Sequence, residues 1–412
     1  MEQTQEEMNQ TKKRKVIHKR TVEPKFINEG TYGCIHRPPL RCEEPSNIHS
    51  YRNKISKLLT KKHADKEIQE YENIQRADPH NLYHLGEPET CKLGMQSTNK
   101  NPIEKCTMAP DVENSPQDFQ LILLKDGGND FDHFIKNIHS STNKPQMLEK
   151  CWIEMHRMLR GIRMFLMNDL VHHDVKYANI LYDTQKNRMN YIDFGMMENI
   201  KDSIAQCKHN DYDWTNNWWY FPYETNFLDV QSFHQGQRMN RREINTYVNG
   251  NLNKDVWFPT LIRMTKLTKA ESEMLLYDYK QYLNTDFKTI SHHGFLIRYF
   301  STLDIYGLGI LFLQILHNSV NVMSPTFNER MKALALRMIS FNLKRRILIE
   351  ECMTIFEQIL ESTGIMEKYN VRFQSHRIVQ NTASRNNITK KKRIMRKDSY
   401  VVLAHDAGET FS

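Results

Sequence analysis

The sequence predicts an α+β fold with two unequal lobes, a small β-rich lobe first and a larger, mainly helical lobe after it. Stretches with strand character lie before residue 125, and the pattern after residue 300 is helical to about residue 370. Strands that precede helices in this way are typical of α+β chains. Hydrophobic residues make up 39% of the 412 residues, which suffices for a buried core.

The elements of the small lobe follow from local patterns. Residues 25–40, KFINEGTYGCIHRPPL, alternate apolar residues around glycines and predict a hairpin. Residues 53–59, NKISKLL, predict a strand. Residues 62–77 predict a helix, because apolar residues recur at helical spacing until an Asp-Pro pair ends the pattern. Residues 119–124, FQLILL, predict a short buried strand.

The larger lobe begins with a long predicted helix over 147–170, which carries apolar residues along one side. Residues 189–197, MNYIDFGMM, predict a strand that runs into a loop. The most apolar run, residues 305–316, is shorter than the ~20 residues that a membrane-spanning helix requires. We therefore expect it to form a buried helix of a soluble protein that does not contact a membrane.

The formal net charge of +8 arises mainly in two basic clusters near the chain ends, at 12–20 and 390–397. KKRKV at 12–16 is typical of a nuclear import signal, although basic tails also contact nucleic acid or acidic proteins. Seven cysteines without paired spacing predict no disulfide framework and a reducing intracellular compartment. The N-terminal region contains no apolar stretch of the kind that a signal peptide has.

The stretch LVHHDVKYANILYD, residues 170–183, brings together three groups that suit phosphoryl transfer. Asp174 could accept the proton of an attacking hydroxyl, Lys176 could neutralise the transferred phosphoryl group, and Asn179 could offer its carbonyl oxygen to magnesium. Such a reaction needs positioning and charge neutralisation more than covalent chemistry. An acidic loop without function would explain any one of these residues, but not all three before an apolar strand.

In a second motif, YIDFG, the aspartate lies fourteen residues after Asn179. Asp193 would bind a magnesium ion that bridges nucleotide phosphates, Phe194 would pack into the core, and Gly195 would let the chain turn.

The third motif is the glycine-containing loop NEGTYGCI. Glycines bring backbone N–H groups close to phosphates because no Cβ intervenes, and Ile35 would cover the adenine ring. A plain hairpin turn is the alternative. The candidate nucleotide-binding residues here are Asn28, Glu29, Gly30, Thr31, Tyr32, Gly33, Cys34 and Ile35.

With these motifs the chain resembles the eukaryotic-type serine/threonine protein kinases. The resemblance implies that Lys57 grips the α- and β-phosphates of ATP and that Glu67 is its ion-pair partner, with Glu70 as the alternative. It also implies that LLKDGGNDF is a hinge that holds adenine, from which Asn129 or Asp130 could reach the ribose.

The resemblance extends into the helical part. PYE supplies Glu224, and DIYGLG supplies Asp304, which would brace the backbone of the catalytic loop. Arg346 would pair with Glu224, with Arg345 as the alternative. Segments such as GTYGCIHRPPLRC and HLGEPETC further resemble those of the kinases of large nucleocytoplasmic DNA viruses. This implies a protein of the host cytoplasm, with the nucleus or the virus particle as alternatives.

The resemblance also implies boundaries. A basic tail at 1–24 precedes a small lobe at 25–125 and a large lobe at 126–370, and a polar basic tail occupies 371–412. About 80 residues separate PYE from DIYGLG, so we expect an insertion at about 226–298, which could recruit substrate or be a surface elaboration.

Two departures from the family pattern affect function. His173 stands where the family has an arginine that binds a phosphorylated activation loop. Because histidine is shorter and near neutral at pH 7, we expect an enzyme independent of such phosphorylation, unless His173 is merely tolerated. The segment before Pro222 lacks the usual Gly-Thr, and Trp218, Trp219 and Tyr220 would shape substrate docking there or simply pack.

The predicted function is therefore an ATP- and magnesium- or manganese-dependent kinase that phosphorylates Ser or Thr hydroxyls of proteins, the class that Lys176 indicates. One alternative is a pseudokinase scaffold, which would not need Lys57, Asp174, Asn179 and Asp193 together. The other is a small-molecule kinase of similar fold.

Overall fold

The computed structural model describes residues 23–30, 33–108, 111–138, 141–212, 218–252 and 256–373. Backbone contacts divide these residues into two compact units. The first comprises the residues up to Lys66 together with Pro88–Asp126, and the second comprises Glu67–Glu87 and the residues from Gly127 onward. A β-sheet occupies the first unit and helices dominate the larger second unit, so the predicted α+β, kinase-like fold class is confirmed.

The sheet of the first unit contains, among the described residues, five antiparallel strands in the spatial order β1-β2-β3-β5-β4. Helix α1 begins in this unit and ends in the second one. The predicted hairpin, strands and helix are all present, and the sequence analysis missed β4 and α2. The elements are β1 (Phe26–Glu29), β2 (Gly33–His36), β3 (Lys54–Thr60), α1 (Lys61–Ala77), β4 (Glu89–Cys91), α2 (Ser97–Glu104) and β5 (Phe119–Lys125).

The two faces of this sheet differ in chemistry because successive side chains of a strand point to opposite faces. On one face Ile35 of β2 lies directly opposite Lys57 of β3, and both side chains are half-buried. On the other face Cys34, Leu58 and Leu121 lie opposite one another and belong to the buried core of the unit. The sheet thus presents a lysine on one side and packs its core on the other.

Two disulfides cross this core, Cys34–Cys106 and Cys42–Cys91. The prediction that the cysteines form no disulfide framework was therefore wrong. The partners are 72 and 49 residues apart in the sequence, so their spacing gave no sign of pairing. They meet because the sheet and the segments that cover it bring distant strands together.

The second unit places short strands among its helices. Within the described residues β6 (Asn129–Asp130), β8 (Ile180–Asp183) and β9 (Arg188–Tyr191) form one sheet, and β7 (Leu170–Val171) pairs with β10 (Glu198–Asn199). The helices are α3 (Phe131–Ile138), α4 (Lys144–Met167), α5 (Ile200–His209), α6 (Val230–Arg238), α7 (Arg241–Thr246), α8 (Trp257–Thr265), α9 (Lys269–Asn284), α10 (Asp286–Thr289), α11 (His292–Ser319), α12 (Pro325–Met338), α13 (Ile349–Ser362) and α14 (Ile365–Lys368).

Helix α11 contains the apolar run at 305–316 and is the central helix of the second unit. At 28 residues it is much longer than that run, so by length and composition it could span a membrane. However, 94% of its most apolar 18-residue window is buried inside the protein. This burial is typical of a core helix, and it agrees with the predicted buried helix.

The predicted insertion at 226–298 consists largely of helices α6 to α10, together with a π-helical turn at Tyr247–Leu252. Asn240 and Thr268 form capping boxes that begin α7 and α9, which satisfies their first N–H groups. The predicted range also includes the first turns of α11, so the helix that carries Asp304 starts inside it. The basic clusters of the two tails, at 12–20 (which contains KKRKV) and 390–397, lie outside the described residues.

The disulfides make a direct prediction about thiol chemistry. If the native protein is denatured without reductant and alkylated, three of its seven cysteines should be modified, namely Cys151, Cys207 and Cys352, which are buried free thiols of the second unit. Reduction before alkylation should raise the number to seven. Mass spectrometry of the alkylated peptides checks this, and seven modified cysteines without reductant would contradict the pairing.

Candidate active site

Asp304, near the middle of α11, holds the loop that follows β7. Its Oδ2 accepts a hydrogen bond from the backbone N–H of His172 (2.8 Å), and its Oδ1 accepts one from that of His173 (2.9 Å). Burial raises the pKa of the Asp304 carboxyl, and the two hydrogen bonds act against this shift by stabilising the charged form. This is the contact expected of the predicted brace.

Gly307, one turn further along α11, lets the same loop pack directly on the helix. A Cβ at this position would lie 2.3 Å from the carbonyl oxygen of Val175, which follows Asp174. Gly307, the first glycine of DIYGLG, is therefore required because the backbone of the loop lies so close to the helix.

The loop and the turn after β9 each contain a residue in the left-handed region. His173 has φ +68° and Asp193 has φ +62°, conformations that cost non-glycine residues free energy. Such residues persist only where their surroundings fix them, and they cluster at functional sites. For His173 the fixing contact is the Asp304 carboxylate.

Asp174, Lys176 and Asn179 lie in mutual contact. Lys176 Nζ donates to Asp174 Oδ2 (2.9 Å), and Asn179 Nδ2 donates to the same oxygen (2.7 Å) and to the Asp174 carbonyl (3.0 Å). Asp174 is only 5% exposed. Within the described part of the chain, its Oδ1 is buried and accepts no hydrogen bond. One carboxylate oxygen is thus fixed by two donors, and the other is left for a further donor.

Phe194 anchors the turn that carries Asp193. Its buried ring contacts the rings of Tyr71, His84 and His172, with centroids 5.7, 6.1 and 5.2 Å away. The aromatic cluster therefore connects α1, the segment between α1 and β4, and the loop that carries Asp174 to this turn.

Asn179 and Asp193 fit a magnesium ion by their chemistry. Because Asn179 Nδ2 faces Asp174, the Oδ1 of the same amide is the atom left to contact a cation. The backbone N–H of Ile192, next to Asp193, donates to the Asn179 carbonyl (3.1 Å), and the Asp193 carboxylate is exposed. Magnesium usually takes one or two protein oxygens together with phosphates and waters.

Glu70 lies at the same turn. A Cβ built on Gly195 would be 3.4 Å from Glu70 Oε1 and 3.4 Å from Asp193 Oδ1. Glu67 is one turn earlier on α1, and both glutamates belong to the second unit, whereas Lys57 belongs to the first. The pairing of Lys57 with Glu67 or with Glu70 stays a prediction.

The two glycines of the glycine loop have different structural surroundings. The Gly30 N–H donates to the Gly33 carbonyl (2.8 Å), and a Cβ on Gly30 would meet no atom closer than 4.0 Å. A Cβ on Gly33 would lie 2.2 Å from the carbonyl of Leu58. Gly33 is therefore required by packing against β3. Gly30 has open space where a Cβ would lie, but its own N–H is bonded within the loop, so the predicted phosphate contact by this N–H would require that bond to break. Thr31 and Tyr32 lie outside the described residues.

The other loop residues are engaged locally. Asn28 Oδ1 accepts from the backbone N–H of Glu29 (2.9 Å), and the Glu29 carboxylate accepts from the Thr107 hydroxyl (2.8 Å). Cys34 turns its side chain into the core and bonds to Cys106, so it could offer a nucleotide only its backbone. Ile35 remains on the face that carries Lys57.

The hinge candidates differ in their surroundings. Asp130 Oδ1 accepts from the backbone N–H of His133 (2.8 Å) in the first turn of α3, whereas Asn129 is exposed. One oxygen of Asp130 is therefore used to begin a helix.

Glu224 forms an ion pair with Arg346, and both side chains are fully buried. Arg346 also donates to the Ser340 carbonyl through Nε (2.9 Å) and Nη2 (2.8 Å). Arg345, the alternative partner, instead contacts Asp278 at the surface (2.9 Å). The structure places Arg346 in the predicted pair and excludes Arg345 from it.

His173 has a carboxylate close to it. Its Nδ1 lies 3.8 Å from Glu198 Oε2 and 3.3 Å from the Tyr212 hydroxyl, which donates to Glu198 Oε2 (2.6 Å). Burial lowers the pKa of His173, and Glu198 acts in the opposite direction. Neither Glu198 nor Tyr212 was predicted from the sequence. The sequence offered one indication of Glu198, namely a carboxylate three residues after DFG in a chain that has His173 in place of the usual arginine.

Comparison with known proteins supports the assignment of this region. The family model of the ABC1 atypical kinase-like domain matches residues 136–209, which is less than half of the chain. The matched stretch contains Asp174, Lys176, Asn179 and Asp193. No curated protein sequence matches the chain. The chain is thus similar to an atypical kinase-like domain over residues 136–209, and the resemblance to viral kinases stays a prediction.

The Glu224–Arg346 pair predicts unequal effects of two neighbouring substitutions. Arg346→Ala leaves a buried carboxylate without its partner and should lower the free energy of unfolding by ~3–5 kcal/mol. Arg345→Ala removes an exposed pair and should change it by ~0–1 kcal/mol. Urea unfolding of both variants measures the difference, and equal destabilisation would contradict the buried pair.

Proposed function

We propose that this protein is a phosphotransferase that moves the γ-phosphoryl group of ATP to serine or threonine hydroxyls of protein substrates. The observation that carries the proposal is the Asp174 carboxylate. One of its oxygens is held by Lys176 and Asn179, and the other is buried and receives no hydrogen bond from the residues that the structure describes. A buried acceptor in this state is suited to receive the hydroxyl of an incoming substrate.

In the proposed reaction the acceptor hydroxyl donates its hydrogen bond to Asp174 Oδ1. The hydroxyl oxygen forms a bond to the γ-phosphorus, the bond from that phosphorus to the β–γ bridging oxygen breaks, and its electron pair leaves with ADP. The hydroxyl proton passes to Asp174 Oδ1. The Lys176 ammonium, 2.9 Å from Asp174 Oδ2, stabilises the negative charge of the phosphoryl group as it moves.

The same geometry supports the expected magnesium or manganese. Asn179 Oδ1 and the Asp193 carboxylate would hold the ion, which would neutralise phosphate charge when it is bound. The resemblance assigns the contacts to ATP to the glycine loop, Lys57 and a glutamate of α1.

Protein hydroxyls are the proposed acceptors because of three features. Lys176 follows Asp174 at the offset typical of serine/threonine kinases, Asp304 braces the loop, and the Glu224–Arg346 pair is buried. The second candidate is a small-molecule kinase, which the match to an atypical kinase-like domain favours.

We further propose that activity does not depend on activation-loop phosphorylation. His173 is buried among Tyr212, Phe221 and Glu198, and burial keeps it neutral, so it is poorly suited to bind a phosphate. Glu198 and Tyr212 supply, within the folded chain, the contacts that a phosphorylated residue would otherwise make.

The experiment is transfer from radiolabelled ATP to generic protein substrates by phosphatase-treated enzyme. Wild type should form phosphoserine or phosphothreonine, whereas Asp174→Asn should lower kcat ~10²–10⁴-fold because it removes the proton acceptor. Asp183→Asn is the matched control, since within the described residues the hydrogen bonds of this carboxylate are with the turn after β8.

Each other outcome has a definite meaning. Transfer to small alcohols but not to proteins would favour the second candidate. Activity that appears only without phosphatase treatment would overturn phosphorylation independence. Equal activity of Asp174→Asn and Asp183→Asn would remove Asp174 from its role.

A further inference from the structure

Tyr220 is a second partner of the lysine at the transfer site. Lys176 Nζ donates to the Tyr220 hydroxyl (3.2 Å) and lies 5.1 Å from the centroid of its ring. Lysine has a long flexible stem, and one exposed carboxylate rarely holds it in one place. Here the ammonium is held between Asp174 Oδ2 on one side and a phenol on the other.

The ring of Tyr220 is itself fixed. Tyr220 is 8% exposed, and its ring packs edge-on against those of Trp219 (5.6 Å) and Phe221 (5.1 Å). Phe221 in turn contacts the ring of His173 (5.4 Å) in the catalytic loop. The hydroxyl that meets Lys176 therefore has a place determined by packing.

The phenol remains neutral in this environment. Burial raises the pKa of Tyr220, and the negative charge of Asp174 and a hydrogen bond between these two side chains raise it further. A neutral phenol can accept the hydrogen bond from Lys176 while it keeps its own hydrogen as a donor. A phenolate would instead compete with Asp174 for the ammonium.

The position of Lys176 determines which oxygen of Asp174 is bonded to the ammonium and which can accept the substrate hydroxyl. If the ammonium moved to Oδ1, it would occupy the atom that is otherwise without a donor. If it moved away, the phosphoryl group would lose its neutralising charge. A partner that keeps Lys176 beside Oδ2 prevents both.

We infer that Tyr220 is a positioning residue of the transfer site, whose hydroxyl keeps the Lys176 ammonium beside Asp174 Oδ2 and leaves Oδ1 open to the acceptor hydroxyl. This inference rests on the proposed function. It gives a specific role to Tyr220, which lies in the segment that lacks the Gly-Thr pattern of the family and for which the sequence allowed either substrate docking or packing.

The test is Tyr220→Phe, which keeps the ring and removes the hydroxyl. Because one hydrogen bond to a charged group is lost, kcat should fall roughly ten- to a hundred-fold while the KM for ATP is unchanged. Tyr299→Phe is the matched control, since it removes another buried hydroxyl, bonded to Thr225 (2.8 Å), that touches neither Asp174 nor Lys176. It should keep the wild-type kcat.

A double-mutant cycle separates positioning from a general structural effect. In a Lys176→Met background the Tyr220 hydroxyl has no ammonium to hold, so Tyr220→Phe should cause no further loss. Independent losses that multiply would overturn the inference, as would a raised KM for the protein substrate at unchanged kcat.

The outcomes also distinguish this inference from the proposed function. A wild type that transfers phosphate, an inactive Asp174→Asn and a fully active Tyr220→Phe would overturn the role of Tyr220 alone. A wild type that transfers nothing to any acceptor would overturn both.

Discussion

The geometry of the candidate active site depends on one buried carboxylate. Asp304 lies inside the core on α11, where an ionised group without partners would be very costly. It accepts hydrogen bonds from two consecutive backbone N–H groups, those of His172 and His173. These two bonds fix the backbone conformation of the loop at this point. The left-handed conformation of His173 and the position of Asp174 next to it follow from this constraint.

The hydrogen bonds to Asp304 also affect the position of the candidate metal ligands, because His172 contacts the turn that carries Asp193. While its N–H is bound to Asp304, its ring contacts Phe194 and its Nε2 lies 3.2 Å from the Ile192 carbonyl. The turn that carries Asp193 is thereby attached to the loop that carries Asn179. Because the two groups share one support, their relative position is set before any nucleotide arrives, which is the preorganisation that phosphoryl transfer needs.

Sequence alone predicted the features that depend on local pattern. Strand β5 and helix α4 followed from periodicity, and Asp174, Asp304 and Arg346 followed from motifs whose spacing reflects a fixed geometry. The disulfides, the packing role of Gly33 and the contact of Tyr220 with Lys176 did not. Each depends on which distant segments the fold brings together, and residue types at given spacings do not contain that information.

The most direct measurement of this account is phosphoryl transfer by Asp304→Asn, with circular dichroism to verify folding. Asparagine keeps the size of the side chain but replaces one acceptor oxygen with a donor, so one backbone N–H of the loop loses its partner. We expect a folded protein with a strongly reduced kcat. A folded variant with wild-type kcat would contradict the claim that this carboxylate organises the site.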